Sequence, residues 1–397
     1  MHDHEGRIIS GKINRRTLLE LTAFSAVASA LSTPALANEG NEPRTKFRVD
    51  PFWPKPLPRE LRGGLNREWV TGEVAGNAVD SRDHVFILNR RNLTGFEMQA
   101  GTASPAVIEF DRGGNVVNGW PPEPRPMPDP FLPDGLHGIF VDHEDNVWIG
   151  GNGDAIVQKY RHDGTFLMQI GEKRRFDSSD GTALGTPLNA SRTLLNKPSD
   201  IAVDPTNNDI YISDGYGNHR VVVFNKNGNF LRQWGSAATL QEARAGAAGK
   251  FHGVVHGVKL GADGLVYVND RAGDRIQVFD KMGNFQRNIW VNNGIAIGAG
   301  GAGSCWDLAF SSDKKQRFIY VTDGDQQINS TLDRRALSPS FANASALAKM
   351  GRSGHMAGEF TFLHTVAVDS KGNLYTAETV GGRRIQKFKD DGDQDDD

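Results

Sequence analysis

Along most of the chain, apolar residues come in short runs rich in Val, Ile and Phe, separated by polar turns of Asp, Asn and Gly. Runs this short, bounded by turn residues, predict strands and not helices. The runs are also grouped. "PSDIAVDPTNNDIYISDGYGNHRVVVFNKNGNFLRQWG", from Pro198, and "VHGVKLGADGLVYVNDRAGDRIQVFDKMGNFQRNIW", from Val255, follow one plan. Each has an apolar strand, an Asn/Asp/Gly turn, a second strand ending in an acidic residue, a polar loop, a third strand ending in Phe, a second turn and a fourth strand. The plan recurs in "LHGIFVDHEDNVWIGGNGDAIVQKYRHDGTFLMQIG" from Leu136, "CWDLAFSSDKKQRFIYVTDG" from Cys305 and "LHTVAVDSKGNLYTAETVGGRRIQKF" from Leu363. A weaker copy, "AGNAVDSRDHVFILNRR" from Ala75 with "AVIEFDRGGNVVNGW" after it, opens the series. A unit of four antiparallel strands cannot cover both of its faces alone, so six such units predict an all-β, six-bladed β-propeller over residues 69–389. The last unit stops after "RIQKF" without a fourth strand. Within the N-terminal segment 38–68, "KFRVDPFW" is expected to supply that strand and remove the open edge.

Residues 1–37 stand apart from this pattern. Paired Arg15 and Arg16 precede the mildly apolar "LTAFSAVASALSTP" and a small-residue cleavage site at Ala35, Leu36 and Ala37, which predicts a signal peptide of twin-arginine type and a periplasmic or secreted protein. The apolar run is too short and too rich in Ala and Ser for a membrane span. A formal charge of −3 argues against a nucleic-acid partner. The acidic end 390–397, "DDGDQDDD", reads as a solvated, disordered tail. The single cysteine, Cys305, excludes an internal disulfide and reads as a small buried apolar residue. The glycine run "GIAIGAGGAGS" lacks the lysine of a phosphate loop and reads as a connector.

Superimposing the units turns two nearby histidines, in "FHGVVHGVKL", into a question of register. The residue just before the first strand is Ala75, His137, Ser199, His256, Trp306 and His364 in successive units. Histidine fills every second unit. In a ring of six, alternate units are a third of a turn apart, so His137, His256 and His364 are expected to converge on the axis. Three imidazoles with an open fourth position are the ligand set of a catalytic zinc site. His252 precedes the slot, and His84, His143, His162, His219 and His355 fall at turns or between strands, where surface positions are expected.

The loop after each second strand should lie at the same end of the ring. It presents Arg90 in the first unit and Arg271 in the fourth, planar forks suited to a substrate carboxylate. Asp214, Asp270 and Asp323 in the same register are expected to brace their loops. Tyr216, one position further on in the third unit, offers a phenol that could act as a base beside a dication.

The strands from Pro198, "FHGVVHGVKL" and "VNDRAGDRIQVF" resemble the NHL-repeat lyase domain of the peptidyl-α-hydroxyglycine α-amidating enzymes, and the likeness runs through all six NHL-type repeats. The resemblance implies zinc on His137, His256 and His364, Tyr216 as base, and Arg90 and Arg271 orienting the substrate carboxylate. It implies cleavage of an α-hydroxyglycine N–C bond to an amide and glyoxylate. In that family an acidic residue of a calcium site follows the third zinc histidine; Thr365 stands there instead, so calcium is not expected. A small-molecule or peptide substrate bearing a carboxylate and a monomeric protein are expected. Two alternatives remain open at this point: a non-enzymatic NHL propeller binding a protein or carbohydrate, with the segment "NSTLDRRALSPSFANASALAKM" as part of its surface, and a lactonase-type hydrolase.

Overall fold

The computed structural model describes residues 47–62, 65–121, 132–291, 303–326, 329–336 and 347–391. The signal-peptide reading, most of the glycine-rich connector and nearly all of the acidic tail lie outside the described residues. No helix among the described residues is long and apolar enough to cross a membrane.

The described chain is all-β, and its strands form six four-stranded antiparallel sheets in chain order. The first is built from Val74–Val79, Val85–Asn89, Val107–Phe110 and Val116–Trp120, and the second from Leu136–Val141, Val147–Gly151, Ile156–Tyr160 and Phe166–Ile170. The third runs from Asp200–Val203 to Phe230–Trp234 and the fourth from Val255–Leu260 to Phe285–Trp290. The sixth contains Leu363–Val368, Leu374–Glu378 and Arg384–Asp390, and takes its fourth strand from Phe47–Val49, with Phe47 opposite Asp390 and Val49 opposite Phe388. The Arg48 guanidinium extends this pairing to Asp391.

Second strands are buried on both faces, as at Val85–Asn89 and Ile210–Asp214, so they read as continuous apolar runs and not as alternation. Fourth strands such as Phe230–Trp234 are partly exposed, which explains their polar residues. Six apolar clusters lie between neighbouring sheets. One joins Phe86 and Leu88 to Ile139 and Val147, and another joins Val85 and Ile87 of the first sheet to Tyr375 and Ala377 of the sixth. First strands pack on one another in the same sequence, including Leu363–Val368 against Val74–Val79.

Two parts depart from the sequence reading. The segment considered as a surface insert in the fifth unit holds the third and fourth strands of the fifth sheet: Asn329–Ala336 pairs with Phe318–Gln326, and Ala348–Met350 pairs with Asn329–Ala336. It lacks the apolar run ending in Phe that marks other third strands, because its order comes from pairing with a strong apolar neighbour. In the first unit the second and third strands are separated by the helix Gly95–Ala100, closed at its start by a capping box between Thr94 and Glu97, and by Gly101–Ala103, which joins Arg59–Arg62 and Leu65–Val70 in a small sheet.

Candidate metal centre

His137, His256 and His364 are the second residues of their strands, not the residues before them. At each position the register slips: Val255 faces Asp270 and Gly257 faces Asn269, leaving His256 unpaired in a β-bulge, and His364 is bulged in the same way between Leu363 and Thr365. A register slip also falls at His137. A bulge turns the extra side chain out of the pleat, and the three bulged histidines face one another.

The three imidazoles form a nearly equilateral triangle, with ring centres 5.0, 4.9 and 4.9 Å apart, and their candidate ligand atoms all lie within 4.8 Å of one another. Each is held from behind by a backbone carbonyl of the next sheet: His137 Nδ1 at 2.8 Å from the Ser199 oxygen, His256 Nδ1 at 2.5 Å from Trp306, and His364 Nδ1 at 2.6 Å from Ala75. A carbonyl only accepts, so each Nδ1 carries the hydrogen and each Nε2 lone pair faces inward. The residues that filled the intervening slots in the sequence alignment, Ala75, Ser199 and Trp306, are thus the ones that orient the histidines. Burial holds all three imidazoles far below their ordinary pKa. For His137 it pulls the value down to about 3, helped by the nearby charge of Arg90. For His256 the other two imidazoles add to the effect, and for His364 His137 and the charge of Arg90 do. Neutral rings with fixed tautomers and inward lone pairs fit a nitrogen-bound divalent metal.

Tyr216 closes one side of the triangle. Its hydroxyl lies 3.0 Å from His137 Nε2 and 3.2 Å from His256 Nε2, and accepts a hydrogen bond of 3.1 Å from Arg271 Nη1. Arg271 lies over the Trp306 ring at 4.7 Å, and its Nε, buried, has no hydrogen-bond partner among the described residues. Arg90 is tied more closely: its Nε donates to Leu136 O at 2.9 Å and its Nη1 to Glu73 at 2.5 Å. Burial pushes the Glu73 carboxyl up, but Arg90 outweighs it and holds the group below its ordinary value.

The acidic residues ending the second strands are braces. Asp214 accepts from Asn196 N, Asn218 and Arg220, and so shapes the loop carrying Tyr216. Asp270 accepts from His252 N and from Arg275 and holds the loop of Arg271; burial pushes its carboxyl up to about 6 despite that arginine. Glu378 does the same through Thr361 N and Arg384.

Among the remaining described histidines His143 and His355 are exposed, and His84, His162, His219 and His252 are half-buried. His162 joins Asp80 and Glu109 in a second group with metal-ligand geometry, but Arg82 bonds there to Asp80 at 2.6 Å and to Glu109 at 3.2 Å. His162 reaches this pair from the hairpin of the second sheet, as Lys281 of the fourth sheet reaches Asp204 of the third, so the cluster is an ion-paired contact between sheets.

Sequence comparison agrees with the repeat plan. The NHL repeat model matches residues 195–224, which span the Tyr216 loop. NHL repeat-containing protein 3 of Mus musculus is 28% identical over 356 residues, covering 86% of this chain and 84% of that protein. A probable peptidyl-α-hydroxyglycine α-amidating lyase of Caenorhabditis elegans is 26% identical over 254 residues, covering 61% of this chain and 63% of its own. A structural genomics protein of unknown function from Bacteroides thetaiotaomicron superimposes with a TM-score of 0.51 at 12% identity, over 87% of this chain and 76% of the other, a likeness of fold alone. The chain is an NHL-repeat protein related in sequence to the peptidyl-α-hydroxyglycine α-amidating lyases.

Proposed function

We propose that the six sheets are the blades of a closed β-propeller and that its axial end is the active site of an exported, metal-dependent carbon–nitrogen lyase. Its substrate would be an α-hydroxyglycine-like carbinolamide, a small molecule or peptide ending in a carboxylate, split to an amide and glyoxylate by a monomeric protein in the periplasm or outside the cell. The observation that carries this reading is the meeting of three neutral, inward-facing imidazoles with the Tyr216 hydroxyl and the Arg271 guanidinium. Bound to His137, His256 and His364, a divalent ion would make a coordinated hydroxyl more acidic, and this all-nitrogen donor set favours zinc over calcium.

The chain's own groups supply the rest. Tyr216, as phenolate, accepts the proton of the substrate hydroxyl, and the N–H of Arg271 steadies the charge on its oxygen before transfer. As that proton leaves, the oxygen's electrons form the aldehyde carbonyl and the C–N bond breaks with its pair on nitrogen. The nitrogen takes up the proton that Tyr216 has accepted and leaves as the amide, so Tyr216 is restored and neither water nor an oxidant is consumed. Arg271, with its unpartnered Nε, anchors the carboxylate. Arg90 contributes a second, more tightly held positive charge, because Glu73 already takes one of its N–H groups.

The test is release of glyoxylate from an α-hydroxyglycine amide by the metal-loaded protein. Release that disappears in Tyr216→Phe supports the reading, and no release from protein carrying one metal per chain refutes the substrate assignment. A second reading, a non-enzymatic ligand-binding propeller, is compatible with the wide match to NHL repeat-containing protein 3, whose name carries no activity. That reading predicts a protein indifferent to metal.

A further inference from the structure

Below the histidines, on the side away from Tyr216, the first strands enclose a cavity of about 20 Å³ lined by Asn77, Asp200, Lys259, Asp307 and Thr365. That is room for about one water. Lys259, three residues along its strand from His256, reaches into it. Its Nζ lies 2.6 Å from Asp200 Oδ2 and 3.1 Å from Asp307 Oδ1. The side chain keeps 20% of its surface exposed, so the ammonium is held by two carboxylates with little water around it.

Those carboxylates sit at two of the three points that orient the histidines. Asp200 follows Ser199, whose carbonyl receives His137 Nδ1; Asp307 follows Trp306, whose carbonyl receives His256 Nδ1. Each carboxylate also grips a neighbouring first strand, Asp200 through Val258 N at 3.1 Å and Asp307 through Val366 N at 3.1 Å. The third point is built differently. Near Ala75, which receives His364, Asn77 donates to Tyr375 O at 2.8 Å and accepts from the Thr365 hydroxyl at 2.6 Å, so no charge is involved.

We infer that Lys259 is a positioning residue for the three-histidine centre, an internal cation that clamps Asp200 and Asp307 and thereby fixes the carbonyls that orient His137 and His256. The inference rests on the metal reading above. It assigns the axial cavity to a side-chain ammonium in place of a second bound cation, and it makes the centre asymmetric, with two imidazoles set by an ion-paired clamp and one by neutral hydrogen bonds.

The test uses the full mature protein, stripped of metal and loaded with Co²⁺, whose visible spectrum reports the geometry of its ligands. Groups that orient metal-binding histidines typically change affinity about 10–100-fold. Lys259→Met is therefore expected to weaken Co²⁺ binding, measured against a chelator, by about that factor and to shift the cobalt bands. Lys259→Arg should restore most of both. Because Lys259→Met leaves two carboxylates facing each other and risks misfolding, the charge-free triple variant Lys259→Met, Asp200→Asn, Asp307→Asn is measured beside it and should show the same spectral shift in a folded protein. Wild-type affinity and an unchanged spectrum in either folded variant overturn the inference. A wild-type protein that binds no Co²⁺ overturns the metal reading itself, an outcome distinct from the first.

Discussion

The depressed pKa of the histidines makes metal-free protein acid-labile in a way that can be assigned to one side chain. His137 titrates near 6.5 when unfolded and near about 3 when buried, so below 6.5 the unfolded chain binds a proton that the folded chain refuses. Its contribution to stability is present above pH 6.5 and is lost as pH falls toward the folded value. At about 1.36 kcal/mol per pH unit, moving from pH 6.5 to pH 5 costs about 2 kcal/mol for this residue. For a chain of this size, with an unfolding entropy of roughly 2 cal/mol/K per residue, that is roughly 3 °C in Tm. Asp270 and Asp307, both pushed up to about 6 by burial, act in the opposite direction over the same range. The raw profile therefore mixes the two effects, and the informative quantity is a difference. EDTA-treated wild type and His137→Asn are melted at pH 7.5, 6.5, 5.5 and 5, and the wild type should lose about 2 kcal/mol more than the variant. Parallel profiles would refute the argument that this imidazole is buried and neutral.

Other consequences are simpler to check. Tyr216→Phe should lower kcat for glyoxylate release by roughly 10²–10⁴-fold with metal content unchanged, since the ring stays and only the proton acceptor goes. Arg271→Met should lower kcat/KM by roughly 10–100-fold, the worth of a charge-assisted hydrogen bond to a carboxylate, while Arg90→Met should cost less because Glu73 already engages that guanidinium. Asp214 and Arg220 are both fully buried, so Arg220→Met should destabilise the fold by about 3–5 kcal/mol in urea unfolding, by leaving one buried charge without its partner. Removing residues 46–53 takes away the fourth strand of the sixth sheet and Trp53, which packs on Tyr375 at 4.9 Å; truncating one such buried aromatic alone costs about 3–5 kcal/mol, and the melting temperature should fall accordingly.

The repeat plan, the alternation of histidines and the register of Arg90, Tyr216 and Arg271 were legible because turn residues mark each unit at a steady spacing and acidic strand ends mark several of them. The bulges that aim His137, His256 and His364 were not, since a one-residue register slip leaves no mark in composition. Arg220, Arg275 and Arg384, which open the third strands of their sheets, were visible as "HRVVVF", "DRIQVF" and "RRIQKF", yet their pairing with the preceding acidic residue depends on a loop closing in three dimensions. The short helices carried a local signal in "TGFE" and "TLQE", where Thr and Glu form capping boxes in Gly95–Ala100 and Leu240–Arg244. Lys259 gave no signal at all. It sits in an apolar strand where an outward-facing lysine would look the same, and only the packing of neighbouring first strands brings Asp200 and Asp307 to it.

The central claim is that His137, His256 and His364 form one metal centre, and elemental analysis of the purified mature protein beside His256→Ala tests it most directly. The account predicts one transition-metal equivalent per chain in the wild type and its loss in the variant, with the fold intact by circular dichroism. Wild-type protein free of metal after exposure to zinc, or equal metal content in His256→Ala, would contradict it.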